Sequence, residues 1–445
     1  MTPQRILSTY YTIAGMYTLA AALIWGVNTL FLLDAGLDIF QVFIVNAAFT
    51  AGSVVFEIPT GVLADTRGRR ASLLFSIAIL AATTLAYVAA AELGAGLLAF
   101  SLVSVIMGLG FTFYSGAVDA WLVDALEATG HRGQLDRVFA RGAMVTGAAM
   151  LVGTVSGGLL GHIDLAIPYV VRAILLAAVF VVALVTMREI GFTPRALRVS
   201  DLPREMRRIA RDSLSHGWQT RSLRLLMICS FLQWGFINWG FYAWQPYFLE
   251  LLGKQLVWAA GLFAALISLS MILGNALVEW FSRFCGKRST LLLWAAGIHT
   301  VAAVGVGLVD SVWVASVLFL ITTGTLGVTG PVKQAYLHQV VPSRHRASVI
   351  SLNSMVGSAG GVISQSGLGY LSRAGSIADG YVVGGLATVF AVPVLAMLRG
   401  LGERADVIVG SKAGLRGPCA GQGIPEISQV DATPTRSGEA AADQA

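Results

Sequence analysis

The sequence predicts an all-α integral membrane protein in which twelve transmembrane helices form two six-helix bundles related by a pseudo-twofold axis. Composition is the first observation, because 56% of the residues are hydrophobic and only 12% are charged. These proportions exclude an ordinary soluble domain of this size. The second observation is a series of apolar segments of about 20 residues, the length that crosses about 30 Å of hydrocarbon. The third is that the arginines are concentrated in loops on one side.

The apolar segments are numbered here as spans 1 to 12 in chain order. They cover residues 11–33, 39–63, 71–91, 97–124, 140–161, 166–187, 224–249, 255–282, 289–309, 312–338, 347–371 and 379–400. Residues 1–187 are therefore predicted to form the N-terminal bundle and residues 224–400 the C-terminal bundle. Residues 188–223 are predicted to be a cytoplasmic connector. Residues 401–445, rich in Gly, Ala, Ser, Thr and Pro, are predicted to be a disordered cytoplasmic tail.

Basic residues indicate the orientation of these spans. The loops on one side, with the connector, hold Arg67, Arg69, Arg70, Arg132, Arg137, Arg141, Arg188, Arg195, Arg198, Arg204, Arg207, Arg208, Arg211, Arg221, Arg224, Arg283, Lys287, Arg288, Arg344 and Arg346. The opposite loops hold only Lys254 and Arg373. Because cytoplasmic loops are enriched in Lys and Arg, we expect a multi-pass protein of the cell membrane with both termini cytoplasmic. The net charge of +6 arises mostly from these loop arginines, which contact lipid headgroups. It therefore predicts no nucleic-acid partner. We expect a monomer.

Short motifs recur in the same order in the two halves. Span 1 carries Trp25-Gly26-Val27-Asn28, and span 7 carries Trp234-Gly235-Phe236-Ile237-Asn238. Span 4 has Gly116 and Asp119 where span 10 has Gly330 and Lys333. Span 5 has Gly147 and Ser156-Gly157, and span 11 has Gly357 and Ser366-Gly367 at the same separation. Agreement in order predicts parallel repeats about an axis normal to the membrane.

The turn between spans 2 and 3 is the most specific motif. Gly61 allows two helices to approach closely, and Gly68 permits the chain to reverse direction. The pattern resembles the loop between helices 2 and 3 of the major facilitator superfamily, and its matching residues are Gly61, Leu63, Ala64, Asp65, Gly68, Arg69 and Arg70. This resemblance covers residues 11–400 and implies two bundles that rock about a central site lined by spans 1, 4, 7 and 10. It also implies that Asp65 and Arg69 lock the conformation rather than bind substrate.

Span 5 bears on the direction of transport. Residues 153–159 read Gly-Thr-Val-Ser-Gly-Gly-Leu and resemble the antiporter motif of drug-efflux members, with Thr154 in place of a proline. Gly153, Gly157 and Gly158 would let helices of the two bundles close tightly. Drug–proton antiporters usually carry an arginine in the middle of helix 4, whereas residues 102–110 contain none. The antiporter-like motif favours efflux, and the missing arginine leaves the coupling ion open.

Polar and aromatic residues inside the membrane are the candidate substrate contacts, because an unpaired polar group in lipid is costly. They are Trp25, Asn28, Tyr114, Gln233, Trp234, Asn238, Tyr242 and Thr325, with Gln245 further along span 7. The alternative for each is helix packing, and for the threonines a bond back to their own helix. Trp244 and Tyr247 fit an aromatic belt.

Charged residues inside the spans have separate roles. Glu57 is the candidate for proton coupling, although a structural or gating role is favoured. Arg172 is expected to reach the outer headgroups with its guanidinium. Asp119 and Lys333 are predicted to meet when the cytoplasmic gate closes. The alternative pairs Asp119 with Arg137 or Arg141 in its own bundle and places the Lys333 ammonium among the inner headgroups.

The sequence therefore predicts a secondary active transporter that exports a hydrophobic or amphipathic small molecule, such as an antibiotic, by alternating access with protons as partners. Uptake of a small nutrient or metabolite is the alternative. A receptor or scaffold built on the same fold is a third reading from another class. No phosphate-binding glycine loop, nucleophile motif or metal-ligand cluster is present, so neither an enzyme nor a cofactor is predicted.

Overall fold

A computed structural model describes residues 1–130, 135–192, 204, 207, 208, 211, 215, 217–252, 257–341 and 346–408. Within these residues the chain is helical and contains no β-strand. Most of the predicted connector and residues 409–445 of the predicted tail lie outside the described residues. The boundaries proposed for the bundles, connector and tail therefore remain predictions.

All twelve predicted spans are helical, and their numbers are kept for the observed helices. Spans 1 to 6 are Pro3–Ala22 with Asn28–Asp34, Ile39–Arg67, Arg69–Glu92, Leu97–Tyr114 with Ala117–Ala128, Leu135–Ile163 and Ile167–Thr186. Spans 7 to 12 are Arg221–Leu252, Val257–Phe284, Arg288–Leu308, Val312–Val340, Arg346–Ala374 and Ile377–Thr388 with Ala391–Gly400. In the described part of the chain, nine spans are long and apolar enough to cross a membrane on their own. Spans 1, 7 and 11 do not meet that test, and span 7 holds Gln233, Asn238 and Gln245.

Three spans are broken, although the sequence predicted continuous helices. Span 1 is interrupted at residues 23–27 and span 12 at residues 389–390. In span 4 the break is at Gly116, whose φ of +74° lies in the left-handed region that glycine adopts without strain. A Cβ atom on Gly116 would meet nothing within 4 Å, so backbone conformation rather than close packing requires the glycine there.

Local capping explains where two spans begin. At span 2 the Asp38 carboxylate accepts from the Gln41 backbone N–H at 2.9 Å, while the Gln41 side chain accepts from the Asp38 N–H at 3.0 Å. Ser376 and Asp379 form the same reciprocal arrangement at the start of span 12. Such capping boxes satisfy backbone donors that the first helical turn leaves unpaired.

The packing of the spans repeats between the two halves. Span 1 packs on span 5, span 2 on span 4 and span 3 on span 6; likewise span 7 packs on span 11, span 8 on span 10 and span 9 on span 12. Between the halves, span 2 packs on span 11 and span 5 on span 8. Adding six to each span number converts one set of pairs into the other, as the predicted pseudo-twofold relation requires.

The described residues after span 12, which fall within the predicted tail, form local structure and contact span 9. Residues Arg404–Asp406 form a 3-10 helix, and Val407 makes a β-bridge with Lys287. The buried Asp406 carboxylate accepts from the Ser289 N–H at 2.7 Å and from its hydroxyl at 2.6 Å. Asp406 thereby satisfies donors in the first turn of span 9, a contact far along the chain that composition does not reveal.

Candidate functional site

The two ends of the bundle differ, and each is named here by its residues. The sealed face contains the loops at residues 35–38, 93–96, 164–166, 309–311 and 375–376. The basic face contains the N-terminus and the turns near Arg67, Arg69, Arg283 and Arg288. Between described residues of the two halves, hydrogen bonds, ion pairs and ring contacts occur only toward the sealed face.

The break in span 1 is closed by a side chain from span 7. A break leaves backbone groups without helical partners. The side chain of the fully buried Gln245 is the hydrogen-bond partner of two such groups. Its Oε1 accepts from the Thr29 N–H at 2.9 Å, and its Nε2 donates to the Trp25 carbonyl at 2.7 Å. The Thr29 hydroxyl donates to the Tyr242 carbonyl at 2.9 Å. The two halves are therefore joined by hydrogen bonds at the point where span 1 is irregular.

Aromatic rings and one ion pair extend this seal. The ring centroids of Trp25 and Phe241 are 5.1 Å apart, and those of Phe43 and Trp239 are 5.8 Å apart. At the sealed face itself, Arg373 Nη1 lies 3.6 Å from the Asp38 carboxylate. The sequence placed Arg373 in an outer loop but carried no signal for its partner.

The glycines of span 5 allow close packing on both sides. A Cβ on Gly153 would lie 2.8 Å from the Leu19 carbonyl oxygen, and one on Gly157 would lie 3.0 Å from Leu23 Cα, both in span 1. A Cβ on Gly261 of span 8 would lie 3.0 Å from Gly158 Cα. Gly153 and Gly157 thus face the neighbouring helix of their own half, and Gly158 faces the other half.

The candidate substrate contacts occupy different environments. Trp25 and Trp234 are 38% and 49% exposed, and the Asn238 amide donates to the Trp234 carbonyl of its own helix at 2.8 Å. Gln233 is half-buried and makes no hydrogen bond with a described residue. Thr325 is buried in the C-terminal half, where it bonds to the Thr322 carbonyl at 2.6 Å and to His299 Nδ1 at 3.0 Å. Thr325 is therefore already engaged by its own bundle.

Asn28 and Tyr114 belong to a polar and aromatic cluster in the N-terminal half. Asn28 donates to Asn46 Oδ1 at 3.1 Å and accepts from the Tyr169 hydroxyl at 2.9 Å. Tyr114 stacks on Tyr17 with ring centroids 3.5 Å apart. Asn46 and Tyr169 were not predicted as site residues, because nothing in one sequence shows that spans 1, 2 and 6 meet at Asn28.

Arg172 adjoins this cluster, contrary to the expectation that it reaches the headgroups. Its side chain is only 6% exposed, and its Nε is buried without a hydrogen-bond partner. Its electrostatic neighbours are the hydroxyls of Tyr17, Tyr87 and Tyr169. The expectation failed because the position of Arg172 along span 6 does not reveal whether it points outward or into the bundle.

The turn between spans 2 and 3 is held within the N-terminal half. The Arg69 guanidinium lies 2.7 Å from the Asp65 carboxylate and 3.8 Å from that of Asp124. Gly68 has a φ of +101°, so only glycine adopts its backbone easily. The Glu189 carboxylate accepts from the backbone N–H groups of Arg69 and Arg70 at 3.2 and 2.9 Å, at the first turn of span 3. Gly61 lies on the preceding helix, where a Cβ would meet nothing within 4 Å, so the expected close approach of a second helix at Gly61 is not present in the described part of this structure.

Asp119 and Lys333 have separate partners in this structure. Asp119 accepts from the Tyr10 hydroxyl at 3.0 Å, and Lys333 donates to the Ser230 hydroxyl at 2.7 Å. Ser230 in turn lies 2.6 Å from Asn353 Oδ1. The predicted contact between Asp119 and Lys333 is not formed here, nor is a contact of Asp119 with the described side chains of Arg137 and Arg141. Each charge is held by a hydroxyl from its own half.

Glu57 is half-buried on span 2, and its carboxylate makes no hydrogen bond or ion pair with a described residue. Among the described residues, no group of three or more His, Cys, Asp and Glu is placed to hold a metal ion. Glu57 is therefore a carboxylate without a described partner, whereas the Asp119 carboxylate and the Lys333 ammonium are each held by a hydroxyl.

Known proteins resemble this chain over most of its length. The family model of the Major Facilitator Superfamily matches residues 10–365. A curated relative, the uncharacterized MFS-type transporter YxaM of Bacillus subtilis (strain 168), is 20% identical over 401 residues, with 87% of this chain and 94% of YxaM covered.

Solved structures share the fold. The nucleoside transporter NupG aligns with a TM-score of 0.70 at 12% identity, covering 88% of this chain and 99% of NupG. A POT family transporter in complex with 5-aminolevulinic acid aligns with a TM-score of 0.69 at 11% identity, covering 90% of this chain and 99% of that transporter. At such identities the likeness concerns the fold and not the substrate.

Proposed function

This chain belongs to the major facilitator superfamily and is a membrane transporter rather than an enzyme, and from that premise we propose that it exports a hydrophobic or amphipathic small molecule by alternating access. The proposed driving force is the proton gradient across the cell membrane. The transported compound and the protons are the proposed partners, and the chain acts as a monomer in contact with lipid.

The distribution of contacts between the halves supports alternating access. Gln245, Thr29 and the Asp38–Arg373 pair join the halves toward the sealed face. Near the basic face, no hydrogen bond, ion pair or ring contact joins described residues of the two halves. If the basic face is cytoplasmic, as its arginines indicate, this arrangement is an inward-open state of the cycle.

Span 5 carries the argument for export. Its residues 153–159 resemble the antiporter motif, and the glycines of that motif lie at contacts between helices. Gly153 and Gly157 face span 1 close to its break, and Gly158 faces Gly261 of the other half. Small residues at these positions permit the close approach of helices that sealing the outer side demands. Gly157 and Gly158 are thus proposed to be closure residues rather than substrate contacts.

Glu57 supports proton coupling. A carboxylate inside a membrane span with no cationic partner is costly when ionised, so its protonation state responds to its surroundings. Glu57 lacks such a partner among the described residues and lies near Pro59. A gating role for Glu57 is the competing proposal. If Glu57 couples transport to protons, Glu57→Gln should preserve transport without a pH gradient, whereas a gating role predicts that this transport is impaired.

Uptake of a polar solute is the second candidate. The polar cluster of Asn28, Asn46, Tyr169 and Arg172 favours it, because a site for purely apolar compounds needs fewer paired amides and charges. The structural neighbours named as nucleoside and POT family transporters share the fold that such a function would use.

One experiment tests both directions. Purified protein is reconstituted in liposomes, a pH gradient is imposed in either sense, and movement of cationic, neutral and anionic compounds is scored. Export predicts that a compound accumulates when protons move in the opposite direction. Glu57→Gln should abolish this response to the gradient, while exchange of the compound without a gradient persists. Accumulation with protons moving in the same direction would replace export by uptake, and movement of no compound would contradict both.

A further inference from the structure

Arg172 combines deep burial with the absence of a counter-charge. Its side chain is 6% exposed, its Nε is buried without a partner, and its guanidinium donates no hydrogen bond to a described residue and forms no ion pair with one. Arginine remains protonated in proteins, and an unpaired buried charge is strongly destabilising. A cation retained at such a position needs a reason beyond packing, because a hydrophobic residue of similar volume would be more stable there.

No carboxylate of the neighbouring spans neutralises this charge. Span 6 contains no acidic residue, and the acids at or beside the sealed-face loops of the N-terminal half include Asp34, Glu92 and Asp164. All three are exposed, and none forms an ion pair with Arg172. The charge is therefore not part of an internal salt bridge in the described chain.

The surroundings of Arg172 suit the binding of an anionic group that is attached to an apolar body. Tyr17, Tyr87 and Tyr169 are its electrostatic neighbours. The Tyr17 hydroxyl makes no hydrogen bond with a described residue, so its donor is unused. The ring centroid of Phe31 lies 4.2 Å from that of Tyr169. The guanidinium and the Tyr17 hydroxyl offer donors, and the rings offer apolar walls.

This cluster borders the junction between the halves. The Tyr169 hydroxyl donates to Asn28, which opens the second helix of span 1 directly after its break. Tyr242 of span 7, whose carbonyl accepts from Thr29, is an electrostatic neighbour of Tyr169. Tyr169, an electrostatic neighbour of Arg172, is thus linked to Asn28, the residue next to Thr29, which takes part in closing the sealed face.

We propose that Arg172, together with the Tyr17 hydroxyl, binds the anionic group of an amphipathic substrate, with a carboxylate as the best-fitting chemistry. This inference rests on the proposed transport function and narrows its substrate class to organic anions with an apolar body. A planar guanidinium suits a carboxylate because it donates two parallel hydrogen bonds.

The test compares carboxylates with their uncharged amides, which share one apolar skeleton. The pairs are 1-naphthaleneacetate with 1-naphthaleneacetamide, indole-3-acetate with indole-3-acetamide, and 4-phenylbutyrate with 4-phenylbutyramide. Binding is measured by thermal unfolding of the full chain in detergent, in chloride and in gluconate buffers. The variants are Arg172→Gln, Arg172→Lys and Tyr17→Phe, and the matched control is Arg399→Gln, which removes an exposed arginine from span 12.

The wild type should bind at least one carboxylate about tenfold more tightly than its amide. This preference should fall below about threefold in Arg172→Gln, be reduced in Arg172→Lys, which keeps the charge but not the paired donors, and persist in the control. If Arg172→Gln does not fold, Tyr17→Phe serves instead and should weaken the carboxylate severalfold without affecting the amide. The proposal is overturned if the wild type prefers no carboxylate over its amide. It is also overturned if the preference survives in Arg172→Gln, or if it is unchanged in Tyr17→Phe.

Two further outcomes separate this site from other causes. If chloride stabilises the wild type but not Arg172→Gln, and no carboxylate is preferred, the site holds an inorganic anion and the substrate proposal is wrong. In proteoliposomes, transport of the amides without any carboxylate preference would refute the subsite and retain the transport function. Arg172-dependent carboxylate binding without movement of any compound would support the subsite and contradict the proposed function.

Discussion

Gln245 hydrogen-bonds to the backbone of Thr29 across the two halves, with its Oε1 2.9 Å from the Thr29 nitrogen. The same side chain is fully buried and also donates to the Trp25 carbonyl. The irregular part of span 1 is thus completed by the partner half only while the sealed face is closed. Opening that face must expose these backbone groups to water or to new partners.

Replacement of Gln245 should therefore open the sealed face. Gln245→Leu leaves the Thr29 N–H and the Trp25 carbonyl unpaired, at a cost of about 1–3 kcal/mol for each buried group. We expect a reporter cysteine at Phe40, which contacts Tyr370 of the other half, to react several-fold faster with a membrane-impermeant maleimide. Gln233→Leu on the same span is the matched control and should leave labelling unchanged. Equal labelling of the two variants would mean that the remaining ring contacts, the Thr29–Tyr242 hydrogen bond and the Asp38–Arg373 pair hold the seal without Gln245.

Asp65→Asn should lower transport turnover by about two- to five-fold while leaving insertion and ligand affinity comparatively intact. The Asp65–Arg69 pair is 2.7 Å long but partly exposed, so removing its charge is worth about 1 kcal/mol or less. That energy biases the conformational equilibrium without removing a substrate contact. Turnover is measured in proteoliposomes at matched protein amounts. Thr66→Val, a neighbour that bonds only to its own helix, is the control, and normal turnover of a well-inserted Asp65→Asn would refute the lock.

Much of the fold could be predicted from this sequence, because hydrocarbon thickness and loop charge act on every span directly. The break in span 4 was missed, since a glycine at position 116 is compatible with either a helix or a left-handed turn. For the candidate site, the sequence predicted Asn28 because it is a polar residue inside a span. Its partners Asn46 and Tyr169, and the inward orientation of Arg172, depend on how the helices rotate against one another, and no local pattern records that rotation.

Trp234→Ala and Asn238→Ala should weaken ligand binding if these residues orient an amphipathic substrate. Trp234 is 49% exposed, and Asn238 is tied to it through the Trp234 carbonyl. An exposed indole face beside an amide can contact an apolar body and a polar group together. We expect a several-fold loss of affinity in a direct binding assay. Trp313→Ala, at the start of span 10 and 79% exposed, is the control. Unchanged binding and transport in both variants would assign Trp234 and Asn238 to packing against Gly357 and Gly361.

Asp119 and Lys333 should pair when the basic face closes. They follow Gly116 and Gly330 at equal spacing in spans that the repeat relates, and here their partners are the hydroxyls of Tyr10 and Ser230. Hydroxyl bonds can be exchanged for an ion pair without leaving either group unsatisfied. In a partly dehydrated gate such a pair would stabilise the outward-facing state by about 1–3 kcal/mol, after desolvation offsets part of the attraction.

Charge reversal tests this pairing at a cysteine placed at the exposed Ser115, four residues before Asp119. Native thiols are first replaced by serine. Among them, burial raises the pKa of the Cys285 thiol, so its reactive thiolate forms only at higher pH. Asp119→Lys alone and Lys333→Asp alone should each raise labelling by an impermeant reagent from the basic side about five-fold, because the inward-open state gains population.

The double variant should restore the original labelling rate, since the opposite charges are then exchanged rather than lost. The reversal of Arg283, whose partner Glu279 lies one turn away on span 8, is the matched control and should change labelling little. A double variant no better than the worse single variant would rule out the gate pair. Asp119 would then be tested as a protonation site, because its only described hydrogen bond is from the Tyr10 hydroxyl, which a protonated carboxyl can also accept.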